Sequence, residues 1–230
     1  MNYLKEIEKL CFFRQKICNH LKSDTEYELL LRYKGDDGYY FPKELFDKLL
    51  NNKVYHRVYI EHIEKLLNYK LSKDDSIYSL NLNYQELYYE ETLEFLKKFK
   101  YKERLKVELT EHVPLSMRSG SEINLPLGIV ERIKELGYSI ALDDFLTGMN
   151  TFETLFCVST SINRVKISIL KLKSFLSSEE LNMFLSSIVE SISFLDKEIV
   201  IEAVEDQSLL NKFPREWIQQ TYFYNIPHKF

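Results

Sequence analysis

Glycine and proline are scarce in this sequence, six and five among 230 residues, and they gather into no Ser/Pro/Gly-rich linker that would divide the chain. Cysteine is scarcer: Cys11, Cys18 and Cys157 are an odd number without CxxC or Cys/His spacing. That excludes a disulfide scaffold and a zinc ribbon, and fits reduced thiols in a cytoplasmic protein. The five histidines, His20, His56, His62, His112 and His228, form no HxxxH or HxH pair. No apolar run approaches the length of a membrane span, and the start "MNYLKEIEKLCFFRQK" is too charged for a signal peptide. No basic run stands out either. With a net charge of −4 and a pI near 5.8, a nucleic-acid polymer or an anionic membrane is not the expected partner. No G-x-G-x-x-G or P-loop follows any strand-like segment.

What is present is the composition of a globular protein, 45% hydrophobic and 29% charged, with enough apolar residues for a sizeable core. Short apolar or alternating runs read as strands: "FFRQKIC", "YELLLRY", "IYSLNLN", "LKVELT", "SIALDDF", "INRVKIS", "EIVIEAV" and, more weakly, "IQQTYFY". Between most of them lie helix-period segments, over Tyr55–Lys70, Tyr84–Lys100, Pro126–Gly137 and Glu179–Asp196. Pro126 and Gly137 bracket their segment in the usual order, proline at the start and glycine at the end.

An unbroken β-α-β-α alternation predicts one α/β domain spanning 1–230 with mostly parallel strands. Only "NHLKSDTE" separates the first two strands, too little for a crossover, so they form a hairpin and one strand near the N-terminus runs antiparallel. About eight strands in so short a chain point to a TIM-like (β/α)8 barrel, with an open doubly wound sheet as the other candidate.

Polar residues recur where these strands end. Glu28, Asn81 and Glu108 sit in the second, third and fourth strands, and Asp143 and Asp144 end the fifth. Lys166, Glu202 and Gln220 belong to the sixth, seventh and last. Taken singly, each reads as a solvated or salt-bridged group. Together they are ionisable or amide side chains embedded in apolar runs, which is costly unless they are paired or bind an ion. In a parallel barrel the carboxyl ends of the strands converge on one face. A cluster of oxygen ligands without His or Cys suits a hard divalent ion such as Mg²⁺ or Mn²⁺. Two such ions several Å apart suit hydrolysis of a phosphodiester. The adjacent Asp143 and Asp144 would repel each other unless cations lie between them and their neighbours.

Several of these segments resemble, in order, the motifs of the EAL-domain cyclic-di-GMP phosphodiesterases of bacteria. "ELLLR" at Glu28–Arg32 is similar to EALLR, "LNLN" at Leu80–Asn83 to VNLS, and "ELTE" at Glu108–Glu111 to ELTE. "DDFLTG" at Asp143–Gly148 is similar to DDFGTG, "VKIS" at Val165–Ser168 to VKID, "EAVE" at Glu202–Glu205 to EGVE, and "QTYFYNIP" to QGYLFGKP. The likeness runs from about Phe13 to Pro227. It implies a TIM-like barrel with an antiparallel strand that hydrolyses cyclic-di-GMP to linear pGpG with two Mg²⁺ or Mn²⁺ ions. Carried over, Glu28, Asn81, Glu108 and Asp143 would hold one metal. Asp143 would bridge to a second, bound also by Asp144 and Glu202. Lys166, with Glu202, would act on the nucleophilic water. Arg32 and Leu31 would contact substrate, Gln220 and Ser168 would line the pocket, and Glu111 and Thr147 would brace the loop Phe145–Asn150. A homodimer packed through helices flanking that loop is the family expectation, with a regulatory protein as a further partner.

The departures from the family pattern surround the ligand set rather than breaking it. Leu146 replaces a loop glycine and would be strained if that position needs φ > 0. Ser168 replaces an Asp beside the substrate pocket. Ala203 and Thr221 replace glycines, and Lys16 replaces a first-strand proline. A working, stand-alone enzyme is the expectation. The alternative is a weak or inactive EAL-like module that binds cyclic-di-GMP or a protein.

Overall fold

The computed structural model describes residues 3–113, 125–170, 172–205, 210–222 and 225–230. A short helix, α1 (Tyr3–Ile7), leads into the hairpin β1 (Leu10–Ile17) and β2 (Glu26–Gly35), which β3 (Gly38–Tyr40) extends. Helices α2 (Lys43–Asn51) and α3 (Lys53–Leu71) follow. Strands and helices then alternate: β4 (Ile77–Leu82), α4 (Glu90–Lys98), β5 (Leu105–Leu109), α5 (Leu127–Glu135), β6 (Ile140–Leu142), α6 (Phe152–Val158), β7 (Arg164–Ser168), α7 (Ser178–Ile192), β8 (Glu198–Glu202), β9 (Ile218–Gln220) and β10 (His228–Lys229).

The sheet order is β10-β1-β2-β4-β5-β6-β7-β8-β9 with β3 on β2. From β2 through β4 to β9 every neighbouring pair is parallel, whereas β1 runs antiparallel to β2. The ring closes where Cys18 N donates to Gln219 O at 2.8 Å and Gln219 N donates to Cys18 O at 3.0 Å. The fold is therefore the α/β TIM-like barrel with one antiparallel strand.

Alternation along each strand sorts side chains to two faces. Val165, Ile167, Val107, Leu109 and Ile201 face the helices and share one apolar cluster with Ile63 and Leu67 of α3, Leu96 of α4, Ile133 of α5, Leu155 of α6 and Leu185 of α7. The opposite face, the barrel interior, carries charge in two layers. In the lower layer, Arg164 is 2% exposed and grips both carboxylate oxygens of Glu26, with Nη2 at 3.0 Å from Oε2, and also bonds Glu198 Oε2 at 2.9 Å. Lys106 Nζ adds a bond to Glu26 Oε2 at 3.0 Å and Lys22 Nζ lies 2.5 Å from Glu198 Oε1. Two acids face three cations here. Burial pushes Glu26 and Glu198 upward, but these cations outweigh it: Glu26 falls below its ordinary value and Glu198 is held at about 2.

Some boundaries differ from the periodicity. The segment Tyr84–Lys100 is not one helix: a 3-10 turn at Glu86–Tyr88 precedes α4, with Tyr89 extended between them. Asn83 is the cause, because its Oδ1 accepts from Gln85 N at 2.9 Å while Glu86 Oε2 accepts from Asn83 N at 2.8 Å. Strand β6 stops at Leu142, so Asp143 stands just past it and Asp144 in the bend that follows, neither within the strand. The last strand ends at Gln220, and Phe223 and Tyr224 of its motif lie outside the described residues.

Candidate active site

Above the lower layer, two residues further along for Glu28, Glu108 and Lys166 and four for Glu202, with Asp143 added from the end of β6, the charge balance is lost. Lys166 is fully buried, and its Nζ lies 2.5 Å from Glu108 Oε2, 2.9 Å from Asp143 Oδ1, 3.0 Å from Glu202 Oε1 and 3.1 Å from Glu28 Oε2. Four carboxylates surround one ammonium. Strand register pairs Asn81 with Glu108 and sets Glu202 between Ser168 and Gln220, while Glu28 and Lys166 stand two positions earlier, opposite Ser79 and Val200.

The titration of these groups records the imbalance. Burial, with the charges of Glu202, Glu108 and Glu28, drives Asp143 well above the ordinary aspartate value despite Lys166. Burial likewise lifts Glu202 to about 8 and raises Glu108. Glu28 goes the other way. Burial opposes its ionisation, but the Lys166 charge and hydrogen bonds from Gln220 and Asn81 hold it below its usual value. The four acids, in turn, keep Lys166 charged against the cost of burial.

Glu28, Glu108 and Asp143 each offer an oxygen within 4.8 Å of the others. Asn81 Nδ2 donates to Glu28 Oε1 at 2.7 Å, and Gln220 Nε2 donates to Glu28 Oε2. Among the described residues, the buried acceptors Asn81 Oδ1, Glu108 Oε1 and Gln220 Oε1 have no hydrogen-bond partner. Unsatisfied buried oxygens beside surplus negative charge fit a hard divalent cation.

Two cavities flank the cluster and share Glu28, Asp143 and Asp144. The smaller, about 230 Å³, is lined also by Leu31, Arg32, Asn81, Glu111 and the aromatic residues Phe12, Phe41, Phe46 and Tyr59. The other, about 340 Å³, is lined by Ser168, Lys173, Glu202, Ala203, Gln220 and Tyr222. Leu31 and Arg32 thus stand on one side of the acids, Ser168 and Gln220 on the other, and Asp144 touches both spaces.

The loop after β6 holds Asp143 by its backbone. Asp143 N donates to Leu109 O at 3.0 Å, and the buried Asn150 donates Nδ2 to both Leu109 O (2.8 Å) and Asp143 O while accepting from Tyr84 OH at 2.8 Å. Met149 N donates to Glu111 O at 2.8 Å, and Thr147 Oγ1 to Asp144 O at 2.8 Å. A Cβ on Gly148 would lie 2.0 Å from Glu111 O, so only glycine fits. Leu146 has φ 76° and Ala203 φ 60°, a left-handed conformation that disfavours any side chain. Asn150, Tyr84 and the Arg164 layer escape sequence reading because nothing in their spacing marks them.

The chain belongs to the EAL domain family, whose profile matches residues 5–215. The fold is similar to that of the Bacillus subtilis YkuI protein, solved with an EAL domain in complex with substrate c-di-GMP and calcium. That likeness has 20% identity and a TM-score of 0.77, and covers 100% of this chain and 58% of that one. An EAL domain protein from Listeria monocytogenes EGD-e gives 22% identity and a TM-score of 0.70, covering 98% of this chain and 92% of that one. The EAL enzyme Bd1971 in its cAMP-bound form gives 21% and 0.70, covering 96% of this chain; this chain spans 64% of that one. No curated protein sequence matches. Among the described residues, no helix is long and apolar enough to cross a membrane.

Proposed function

We propose that this chain is a metal-dependent phosphodiesterase that opens cyclic-di-GMP to linear pGpG. The observation that carries the reading is the contrast between the two layers inside the barrel. The lower one balances its acids with Arg164, Lys106 and Lys22, as a structural network does. The upper one leaves four carboxylates to Lys166 alone, at the strand ends where barrel enzymes keep their sites. Glu28, Asn81, Glu108 and Asp143, with Asp144 and Glu202 beside them, would hold Mg²⁺ or Mn²⁺. When bound, such ions supply Lewis-acid activation of water and of the phosphoryl oxygens. The calcium in the YkuI complex supports a hard cation in this class of site.

The chain's own residues have distinct roles in this reading. Lys166 Nζ, held charged by its four neighbours, is a fixed donor that orients the attacking water and is not a base. Burial alone leaves a proton on Glu202; with a bound cation keeping its carboxylate ionised, Glu202 would accept the water proton. The water oxygen bonds to phosphorus, the bond from phosphorus to O3′ breaks, and O3′ leaves as a hydroxyl after taking up a proton. Arg32 faces a phosphate oxygen from the smaller cavity. Two cavities on either side of the acids suit a ligand with two bases and a phosphodiester between them. Residues 1–230 act as one barrel domain in this reading, and the dimer expected of the family would pack beside Phe145–Asn150.

A second reading, a weak enzyme or a receptor for cyclic-di-GMP, draws on the left-handed Leu146 and Ala203 beside the ligands. Incubating the purified chain with cyclic-di-GMP and Mg²⁺, Mn²⁺ or EDTA, followed by chromatography, separates the two. Metal-dependent pGpG supports the enzyme. Saturable binding without product makes the chain a receptor, and neither result rejects both.

A further inference from the structure

The smaller cavity contains two features that the proposed catalysis does not use. Phe41, which follows β3, is 45% exposed although its ring lines the cavity beside the acids. It is held in place edge-on by Phe46 at 5.6 Å between ring centroids, and Phe46 is held in turn by Tyr59 at 6.0 Å. Glu86 lines the same cavity, fully buried. Its Oε2 accepts from Asn83 N, whereas its Oε1 has no hydrogen-bond partner among the described residues. An aromatic face left partly open and a buried polar atom left unsatisfied, in one cavity, both call for a ligand.

We propose that Phe41 and Glu86 form a base subsite of this cavity, Phe41 as the stacking platform and Glu86 Oε1 as the hydrogen-bond donor that selects a 6-oxo purine. The inference rests on the cyclic-dinucleotide reading and adds the residues that would read one of its bases. Desolvation lifts the Glu86 carboxyl to about 8, so it is protonated at neutral pH. Since Oε2 is engaged as an acceptor, Oε1 carries the hydrogen. A 6-oxo purine offers O6 as an acceptor there, whereas a 6-amino purine sets its own N6 donor against it; N7 accepts in both, so the choice rests on position 6. A ring platform binds any base, so stacking supplies affinity and Glu86 supplies the choice.

The test is equilibrium binding of cyclic-di-GMP and cyclic-di-AMP to the whole chain in EDTA, with steady-state hydrolysis in Mg²⁺ alongside. Phe41→Ala should raise the Kd for both ligands by about tenfold or more, the loss expected for one base stack. Glu86→Leu should weaken cyclic-di-GMP by about tenfold and narrow the preference over cyclic-di-AMP, because a designed donor is lost. Glu86→Gln keeps a donor and an acceptor and should restore binding to within about twofold. If folded Phe41→Ala and Glu86→Leu bind as the parent does, the subsite is wrong while the dinucleotide reading stands. If Glu86→Gln is as impaired as Glu86→Leu, the donor role is wrong. If the parent chain binds neither dinucleotide, both the reading and the subsite fall. Phe41 is half exposed, so its truncation keeps the test open should Glu86→Leu not fold.

Discussion

Leu146 and Ala203 each hold a left-handed backbone on which a Cβ costs roughly 1–2 kcal/mol. Glycine would relieve that cost but would also loosen the unfolded chain. Leu146→Gly and Ala203→Gly are therefore each expected to stabilise the protein by about 0.5–1 kcal/mol in urea denaturation. Unchanged midpoints would mean that Leu146 packing against the core outweighs the strain. Glu86 has a different dependence. Its carboxyl is raised from 4.5 to about 8 by burial, so the native state holds a proton that the unfolded state releases. Its stabilising contribution is full below pH 4.5 and is lost as pH rises through 8. Glu86→Gln should flatten the decline of Tm between pH 5 and 8, read by thermal melts of parent and variant. A parallel decline in both would show that Glu86 is ionised in the native state.

At the level of elements, Arg164 is the group on which the lower barrel layer depends. Arg164→Met would leave the buried Glu26 and the half-buried Glu198 with fewer partners, and about 3–5 kcal/mol of stability should be lost, mostly through Glu26. A loss below 1 kcal/mol in urea titration would show that Lys106 and Lys22 suffice. This layer was invisible in the sequence because Glu26 and Arg164 are the first residues of β2 and β7, where a charge beside a polar loop reads as solvated. The upper layer was legible, since Glu28, Glu108, Lys166 and Glu202 interrupt apolar runs at strand ends, where a lone charge needs an explanation. Long elements such as α3 and α7 were equally legible from their apolar stripes. The hairpin strand Gly38–Tyr40 and the helix Phe152–Val158 are too short to show a period. The 3-10 turn at Glu86 was hidden because its cause is a side-chain bond at Asn83, not a break in hydrophobicity.

For the molecule as a whole, the surplus of acids couples stability to ion binding and to pH. Without metal, Asp143 and Glu202 are raised by burial and by the carboxylates around them, so the native state holds protons there. Their contribution is present at low pH and fades as pH climbs from the ordinary carboxylate range toward 8, so the Tm measured in EDTA should fall over that range. On the proposed function divalent ions would take the place of those protons, so metal affinity should rise with pH across the same window, and the Tm increment from Mg²⁺ or Mn²⁺ should grow with it. Asp143→Asn separates the two effects. It removes one repelling acid and should leave the EDTA form at least as stable as the parent, while the metal-induced Tm shift and pGpG formation both disappear. A variant that keeps its metal shift would remove Asp143 from the ligand set. One that melts well below the parent in EDTA would show that Asp143 serves the fold, as the partner of Lys166, more than it serves the ion.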